Sequence, residues 1–337
     1  MTREPLVRVR DLQVEFQLAR GVVRAVDGVS FDVEPGEALG LVGESGSGKT
    51  VTLRALVGLL PRGAKLVGGT IEVDGVDVTA ASDDTQRELR GTTVSMIFQE
   101  PMTALNPVMR VGDQIAEEPL VRLGMSRSAA KARALELMAL VGIPDPKRRA
   151  DAYPHELSGG LRQRIMIAIA LSGDPKLVLC DEPTTALDVT IQDQILKLLR
   201  QLQRELDVSL VFVSHDLAVI AQTCRRLAVM YAGQVVETGP VAEVFREPRH
   251  PYTLGLLRAV PDFEIVRDKL ASIPGAPPDL ASPPPGCRFH PRCPFVQDDC
   301  IANAVPLIEV GDHRAARCLH HERVVEDVRR EPVIAGG

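Results

Sequence analysis

Tryptophan is absent from this chain, and aromatic residues make up only 3% of its 337 residues. So few aromatic rings argue against a surface on which nucleic-acid bases stack. A basic excess is lacking too, since the formal net charge is -6, and this leaves no electrostatic footprint for nucleic acid. No uninterrupted apolar run reaches about 18 residues, the length that a membrane-spanning helix needs. The first residues are not followed by an apolar signal segment, so we expect no secretory leader and a membrane role only through a partner.

Hydrophobic residues make up 45% of the chain and charged residues 25%, which is typical of a globular protein with a sizeable core. The length suits one large domain and a smaller one. The composition shifts near residue 245, so we predict a domain at 1–245 and a C-terminal extension at 246–337. Within the first domain, helical patterns with few strand signals predict a helical subdomain at about 100–165.

A glycine-rich stretch lies between a predicted strand and a predicted helix. It reads G-x-x-x-x-G-K-T and comprises Gly43, Glu44, Ser45, Gly46, Ser47, Gly48, Lys49 and Thr50. Glycines let successive backbone N–H groups turn toward a phosphate, and the following helix directs its positive end at the same anion. Lys49 supplies a charge for the β- and γ-phosphates, and the hydroxyl of Thr50 is a ligand for Mg²⁺. The stretch therefore predicts a nucleotide-binding loop.

Polar side chains follow several other predicted strands. A continuous apolar strand ends in Asp181 and Glu182, a second ends at His215, and a short one precedes Gln99. Strands alternating with helices predict a doubly wound α/β core, in which ligands bind at the carboxyl ends of the strands. There Asp181 and Gln99 would reach Mg²⁺ or its water, Glu182 would act as general base, and His215 would hydrogen-bond a γ-phosphate. A glutamine at a strand end is otherwise an ordinary surface residue, and a lone histidine is usually structural.

A four-residue stretch and one phenylalanine each allow two interpretations. Four residues precede an apolar helix and either cap it or bind a second phosphate: Leu157, Ser158, Gly159 and Gly160. Phe16 lies between two predicted strands of an antiparallel layer. It is either a core residue of an edge strand or a platform on which adenine stacks.

The ordered set of motifs closely resembles the ATP-binding subunits of ABC transporters over roughly residues 5–240. The set consists of the phosphate loop, Gln99, Leu157–Gly160, Asp181-Glu182, Ala186-Leu187-Asp188 and His215. The resemblance implies a P-loop NTPase of the ABC ATPase fold, with a RecA-like core, an antiparallel β layer and a helical subdomain. It implies that Phe16 stacks on adenine, and that the Leu157–Gly160 signature and Asp188 face the ATP of a partner subunit. Cys180 and Leu161 stand where other residues are common, and neither departure removes a catalytic group.

Other stretches resemble the dipeptide and oligopeptide permeases. They are residues 98–107, residues 153–158, Arg249-His250-Pro251-Tyr252-Thr253 and the cysteine-bearing extension. The resemblance implies that this chain and a second, related ATPase form a heterodimer beneath two transmembrane permease subunits, served by an extracytoplasmic peptide-binding protein. The chain would then lie peripherally on the cytoplasmic face of the inner membrane. The alternatives are an ABC exporter, an importer of nickel or another solute, and a soluble ABC ATPase acting on nucleic acid, which the single cassette and acidic balance disfavour.

Four cysteines cluster near the end of the chain with the spacing C-x5-C-x6-C-x17-C: Cys287, Cys293, Cys300 and Cys318. In a reducing compartment such a cluster indicates metal before disulfides. These cysteines bind a 4Fe–4S cluster in several members of the permease family, so the resemblance implies a small metal-binding extension with a structural cluster. Zinc sites usually use closer cysteine pairs, and the wider gaps suit a larger inorganic core. Zinc, with nearby histidines as ligands, and free thiols stay open as alternatives. We expect the charged tail after Val324 to be loose.

Overall fold

The computed structural model describes residues 4–18, 21–100, 104–185, 187–259 and 272–331. Ala186 and residues 101–103 of the predicted motifs lie outside these ranges. The chain divides into two compact units. The first contains the described residues of Met1–Leu6, Val33–Glu37 and Asp74–Phe212, and the second contains those of Val7–Asp32, Ala38–Val73 and Val213–Gly337. The boundary expected near residue 245 stays a prediction.

The strands are β1 (Val7–Leu18), β2 (Gly21–Val33), β3 (Ala38–Val42), β4 (Ala64–Val73), β5 (Val76–Asp77), β6 (Val94–Ile97), β7 (Leu177–Asp181), β8 (Ser209–Ser214), β9 (Arg226–Tyr231), β10 (Gln234–Pro240), β11 (Ile308–Gly311) and β12 (Arg314–Ala316). The α-helices are α1 (Lys49–Ala55), α2 (Asp83–Thr92), α3 (Val111–Val121), α4 (Arg127–Leu140), α5 (Pro146–Arg149), α6 (Gly159–Leu171), α7 (Val189–Leu206), α8 (Leu217–Thr223), α9 (Val241–Arg246), α10 (Pro251–Ala259), α11 (Asp298–Ala302) and α12 (His321–Arg330). Within the described ranges, no helix is both long enough and apolar enough to cross a membrane.

The second unit contains the predicted antiparallel layer, with the strand order β2-β1-β4. β1 and β4 pair antiparallel from Val7 opposite Val73 to Phe16 opposite Ala64. Buried and more exposed residues alternate along much of β1. This alternation follows because successive side chains of a strand point to opposite faces. The prediction of an antiparallel layer in this part of the chain is confirmed.

The second unit also contains the strand that leads into the phosphate loop. β3 pairs parallel with β9, and the strand order continues antiparallel through β10, β12 and β11. Every residue of β3 is buried, as a fully apolar strand predicts. Strands β11 and β12 were not predicted from the sequence, because they have only 4 and 3 residues and no continuous apolar run.

In the first unit β7 pairs parallel with β6, and the strand order places β7 between β6 and β8. β7 is buried along its whole length, as its apolar sequence predicts. Helices α3 and α4 pack on each other and on α6, and they supply most of the predicted helical subdomain. Ser126 caps the start of α4, since its Oγ accepts a hydrogen bond from the Ala129 N–H at 3.2 Å.

The C-terminal tail corrects one expectation. Residues 324–331 are not loose, because α12 includes most of them and buries Val324, Val325 and Val328. α12 packs against α10, and Arg258 of α10 forms an ion pair with Asp327 at 2.8 Å. The three valines recur on one face of the helix, so their burial holds α12 in place despite its many charged residues.

Candidate functional site

The predicted phosphate loop connects β3 to α1 as a tight turn. Gly48 precedes α1 with φ +101°, a left-handed conformation that residues with a Cβ rarely adopt. A Cβ on Gly48 would lie 2.5 Å from the carbonyl oxygen of Ala25, and a Cβ on Gly43 would clash with the carbonyl oxygen of Met230. α1 begins at Lys49, so its first backbone N–H groups point toward the turn. The loop therefore forms a cradle of the kind that holds a phosphate group.

Lys49 and Ser47 place polar groups in this loop. Lys49 is 5% exposed, and its Nζ donates hydrogen bonds to the carbonyl oxygens of Gly43 at 2.7 Å and Glu44 at 2.9 Å. The buried Ser47 Oγ has no hydrogen-bond partner in the described part of the chain. A buried hydroxyl without a partner is costly unless a ligand satisfies it. Both groups fit the phosphates of a bound nucleotide.

Glu44, the second residue of the loop, is held by side chains that the sequence motifs did not identify. Both terminal nitrogens of Arg292 donate to the Glu44 carboxylate, at 2.8 and 3.1 Å. The backbone N–H of Glu44 donates to the hydroxyl of Tyr252 at 2.7 Å. Arg292 also donates to the hydroxyl of Tyr231 at 3.3 Å. Tyr252 stands in a stretch that resembles the permeases, but no sequence pattern linked Tyr252 or Arg292 to the loop.

Phe16 and His215 lie in the same unit as the loop. Phe16 is half-buried in β1 opposite Ala64, so part of its ring stays accessible. His215 follows β8 directly and is exposed. Adenine stacking by Phe16 and a γ-phosphate contact by His215 remain predictions that agree with this exposure.

In the first unit, the parallel register of β6 and β7 brings Gln99 to Glu182. Ile97 pairs with Cys180, so the residues two positions further along leave the sheet side by side. Gln99 Nε2 donates to Glu182 Oε2 at 3.4 Å, and Thr185 Oγ1 donates to the same oxygen at 2.8 Å. Thr185 is a contact that the sequence did not predict. It fixes one oxygen of the carboxylate that we expect to act as base.

Asp181 and Glu182 occupy different environments at the end of β7. Asp181 is the last residue of the strand and only 2% exposed. Glu182 is half-buried and has φ +47°, a left-handed conformation that is uncommon for a residue with a side chain. Such backbone strain is concentrated at functional sites, where surrounding structure maintains it. The buried Asp181 therefore fits the predicted role beside a metal ion, and the more accessible Glu182 fits the predicted role of a base.

The predicted signature forms the start of α6. Ser158 Oγ accepts a hydrogen bond from the Leu161 N–H at 3.4 Å, while Gly159 and Gly160 begin the helix. Leu157 is buried, whereas Ser158 and Gly159 are exposed. The helix start is thus capped and still accessible to a further ligand, so both interpretations of this stretch agree with the structure.

Asp188 caps α7. Its Oδ1 accepts a hydrogen bond from the Ile191 N–H at 2.9 Å, and the residue is exposed. Ile191 also packs closely on the signature helix, since a Cβ on Gly160 would lie 2.9 Å from its Cγ2. The contact of Asp188 with a partner's nucleotide remains a prediction.

The four cysteines of the extension line one cavity in the second unit. Other residues around it include His250, Phe289, His290, Arg317 and His320. The backbone N–H of Cys287 donates to the carbonyl oxygen of Cys300 at 2.8 Å, which ties two of the cysteines together. Burial raises the pKa of Cys293 to about 11 and that of Cys318 to about 12. Metal binding would therefore have to displace protons from these thiols.

The distances between potential ligand atoms show which residues could share one metal ion. Asp299, Cys300 and His320 have ligand atoms within 4.8 Å of one another, and His320 Nε2 lies 2.8 Å from Asp299 Oδ1. Among the described residues, which include all four cysteines, no three cysteine sulfurs group within that distance. Four thiolates around one zinc ion lie about 4 Å apart, given a Zn–S bond of about 2.3 Å. The four thiols are therefore not gathered around one zinc-sized site, whereas Asp299, Cys300 and His320 lie close enough together to share one ion.

The fold and the phosphate loop define an ATP-binding cassette, and comparisons with known proteins agree. The family model described as ABC transporter matches residues 26–185, and the model described as oligopeptide/dipeptide transporter, C-terminal region, matches residues 236–300. A relative from Brucella abortus, provisionally named a peptide import ATP-binding protein, is 48% identical over 314 residues, covering 93% of this chain and 94% of the relative. A relative from Brucella melitensis with the same kind of name is 48% identical over 336 residues, covering 96% and 99%.

Solved structures give the same result for the cassette. A dimeric ATP-binding cassette in a post-hydrolysis state, bound to ADP and Pi, aligns with a TM-score of 0.63 at 26% identity, covering 70% of this chain and 98% of the other. The protein cbiO1 of Clostridium perfringens, part of an ABC transporter complex, aligns with a TM-score of 0.62 at 26% identity, covering 72% and 91%. This chain belongs to the family of ATP-binding proteins of ABC transporters. The predicted P-loop ABC ATPase fold is confirmed, while metal binding by the extension stays a prediction.

Proposed function

We propose that this chain is the ATP-hydrolysing subunit of an importer that carries dipeptides and oligopeptides across the cytoplasmic membrane. One observation carries the proposal: a phosphate loop and a C-terminal region of the oligopeptide/dipeptide transporter type lie in one chain. The names of the two Brucella relatives also point to peptides. No comparable observation favours nickel or nucleic acid.

The nucleotide is held by the loop Gly43–Thr50, with Lys49 on its β- and γ-phosphates and Phe16 beneath its adenine. Thr50, Gln99 and Asp181 would hold Mg²⁺, directly or through water, because hydroxyl, amide and carboxylate oxygens suit this ion. Bound Mg²⁺ neutralises charge on the β- and γ-phosphate oxygens. The unpartnered hydroxyl of Ser47 supports the assignment of this loop to phosphate.

Glu182 takes the proton of the attacking water as general base. Thr185 and Gln99 donate hydrogen bonds to one of its oxygens and so orient the carboxylate. His215 donates a hydrogen bond to the γ-phosphate from the exposed end of β8. These roles follow from residue type and from position at strand ends.

The Leu157–Gly160 signature and Asp188 complete the nucleotide site of a second, related ATPase subunit. The exposure of Ser158, Gly159 and Asp188 supports this role, because an accessible helix start is available to a partner's phosphate. The heterodimer binds two transmembrane permease subunits, and an extracytoplasmic peptide-binding protein delivers the solute. In this assembly the chain lies peripherally at the cytoplasmic face of the membrane.

The test is to purify the tagged chain from its own membranes and to identify the proteins that accompany it. We expect two permease subunits and a second ATPase. Proteoliposomes that hold this complex should then take up labelled peptide with ATP when the binding protein is present, and should stop when the chain carries Glu182→Gln. Copurification with ribosomes or nucleic acid would contradict the proposal, and so would uptake of nickel but not of peptide.

We also propose that Cys287, Cys293, Cys300 and Cys318 hold a 4Fe–4S cluster, with zinc as the alternative. The cavity that all four cysteines line supports a cluster held at its corners by four thiolates. Its role is structural: it would fix the loops that carry the cysteines. The group of Asp299, Cys300 and His320 is the zinc alternative.

Anaerobic purification followed by iron, sulfide and zinc analysis distinguishes the two metals. About four irons and four sulfides per chain are expected for the cluster. Cys300→Ser should lose the metal and make the chain easier to cleave after residue 275, whereas Cys224→Ser, a change at a buried cysteine outside the cavity, should keep it. Stoichiometric zinc without iron, or no metal at all, would contradict the cluster.

A further inference from the structure

We propose that Arg292 and Tyr252 are positioning residues for nucleotide binding, because together they fix Glu44 in the phosphate loop. The inference rests on the nucleotide site proposed above and extends it to the C-terminal region. Arg292 grips the side chain of Glu44 with two hydrogen bonds, and Tyr252 accepts the hydrogen bond of its backbone N–H. We call Glu44, Tyr252 and Arg292 the loop clamp.

The loop clamp is charged and buried. The side chain of Arg292 is 5% exposed and that of Glu44 is 28% exposed, so their ion pair is shielded from water. Pairs of arginine and carboxylate with two parallel hydrogen bonds fix orientation as well as position. Arg292 is itself fixed by the carbonyl oxygen of Pro274, to which its Nε donates at 2.8 Å, and by the hydroxyl of Tyr231.

An aromatic cluster supports the clamp from behind. The rings of Tyr231 and Tyr252 lie 4.6 Å apart, and Phe289 contacts them at 5.2 and 5.5 Å between ring centres. Nδ1 of the buried His250 accepts the backbone N–H of Tyr252 at 3.1 Å. The tyrosine hydroxyl therefore has little freedom to leave Glu44.

Glu44 contacts Lys49, the residue that we expect to bind the phosphates of the nucleotide. Its carbonyl oxygen accepts a hydrogen bond from Lys49 Nζ at 2.9 Å. The clamp thus holds the N–H and the side chain of the same residue whose carbonyl positions the lysine ammonium. Releasing the clamp should let this part of the loop move, so that binding must then order it at a cost in affinity. Arg292 touches no phosphate in this view and acts only through Glu44.

The first test measures the dissociation constant of Mg·ATP for the full-length chain by displacement of a fluorescent nucleotide. We expect Arg292→Gln and Glu44→Gln to weaken binding at least about fivefold, the lower end of typical coupling between sites. The double variant should lose no more affinity for Mg·ATP than either single variant, because both changes remove the same interaction between Arg292 and Glu44. Arg314→Gln is the matched control: Arg314 is 6% exposed and pairs with the buried Glu237, and it should leave nucleotide affinity unchanged.

Tyr252→Phe keeps the ring packing and removes only the acceptor for the Glu44 N–H, so it tests the clamp even if Arg292→Gln fails to fold. It too should weaken the binding of Mg·ATP by about fivefold. The second test is reciprocal: Mg·ATP should slow backbone hydrogen exchange in residues 287–300 of the native chain and not in Arg292→Gln.

Three outcomes are distinct. Nucleotide affinity in Arg292→Gln and Tyr252→Phe that equals the native value would overturn the clamp and leave the proposed function intact. Equal losses in Arg292→Gln and Arg314→Gln, with no coupling to Glu44→Gln, would show a merely structural effect and overturn it as well. A native chain that binds no nucleotide would overturn the proposed function itself.

Discussion

Replacing Glu182 with glutamine tests the proposed chemistry most directly. The two side chains have the same size, and an amide oxygen can accept the hydrogen bonds that Thr185 and Gln99 donate to Oε2 at 2.8 and 3.4 Å. The phosphate loop is not altered by this change. We therefore expect the folded chain and its nucleotide affinity to persist while the proton acceptor is lost.

Loss of a general base lowers a rate by about 10²–10⁴-fold, or roughly 2.7–5.4 kcal/mol of activation free energy. The assay is ATP turnover by the assembled transporter, with nucleotide binding measured in parallel. Glu205→Gln is a matched control, because it changes an exposed glutamate of α7 that contacts Gln201, and it should keep native turnover. Turnover of Glu182→Gln within about threefold of native would show that Glu182 is not the base.

Three other changes have expected outcomes. Lys49→Ala removes the ammonium from the loop and should weaken Mg·ATP binding at least about tenfold, since hydrogen bonds to charged groups contribute about 1.5–3 kcal/mol; an unchanged titration would refute its phosphate role. Phe289→Ala removes a ring that is 2% exposed and should lower the free energy of unfolding by about 3–5 kcal/mol in denaturant titrations, and a loss below about 1 kcal/mol would contradict its core role. Burial lowers the pKa of His250 from 6.5 to about 3, so the unfolded chain binds more protons than the folded chain between these values. The contribution of His250 to stability should then fall as pH drops from about 6.5 toward 3, by up to about 1.4 kcal/mol per unit. His250→Gln should remove this contribution from the pH dependence of unfolding, and a pH dependence equal to that of the native chain would contradict it.

Local patterns predicted the parts of the fold in which neighbours along the chain decide the conformation. The apolar runs of β3, β7 and β8 are buried along their whole length, because a continuous apolar strand has no face that suits water. The same reasoning failed where the pattern was short or mixed with charge. β12 is held by pairing with β10, and β11 by pairing with β12. α12 is held by the burial of its valines.

The sequence by itself determined the phosphate loop, because its glycines, lysine and threonine are contiguous and their conformations follow from local sterics. It also determined that two carboxylates lie at the end of β7, because the apolar residues before them predict the strand. Tertiary structure alone decided the contacts that join distant segments. Arg292 and Glu44 are 248 positions apart, and Gln99 and Glu182 are 83 apart. No local preference encodes such pairs, because they depend on strand register and on packing of the C-terminal region, which form only when the whole unit folds.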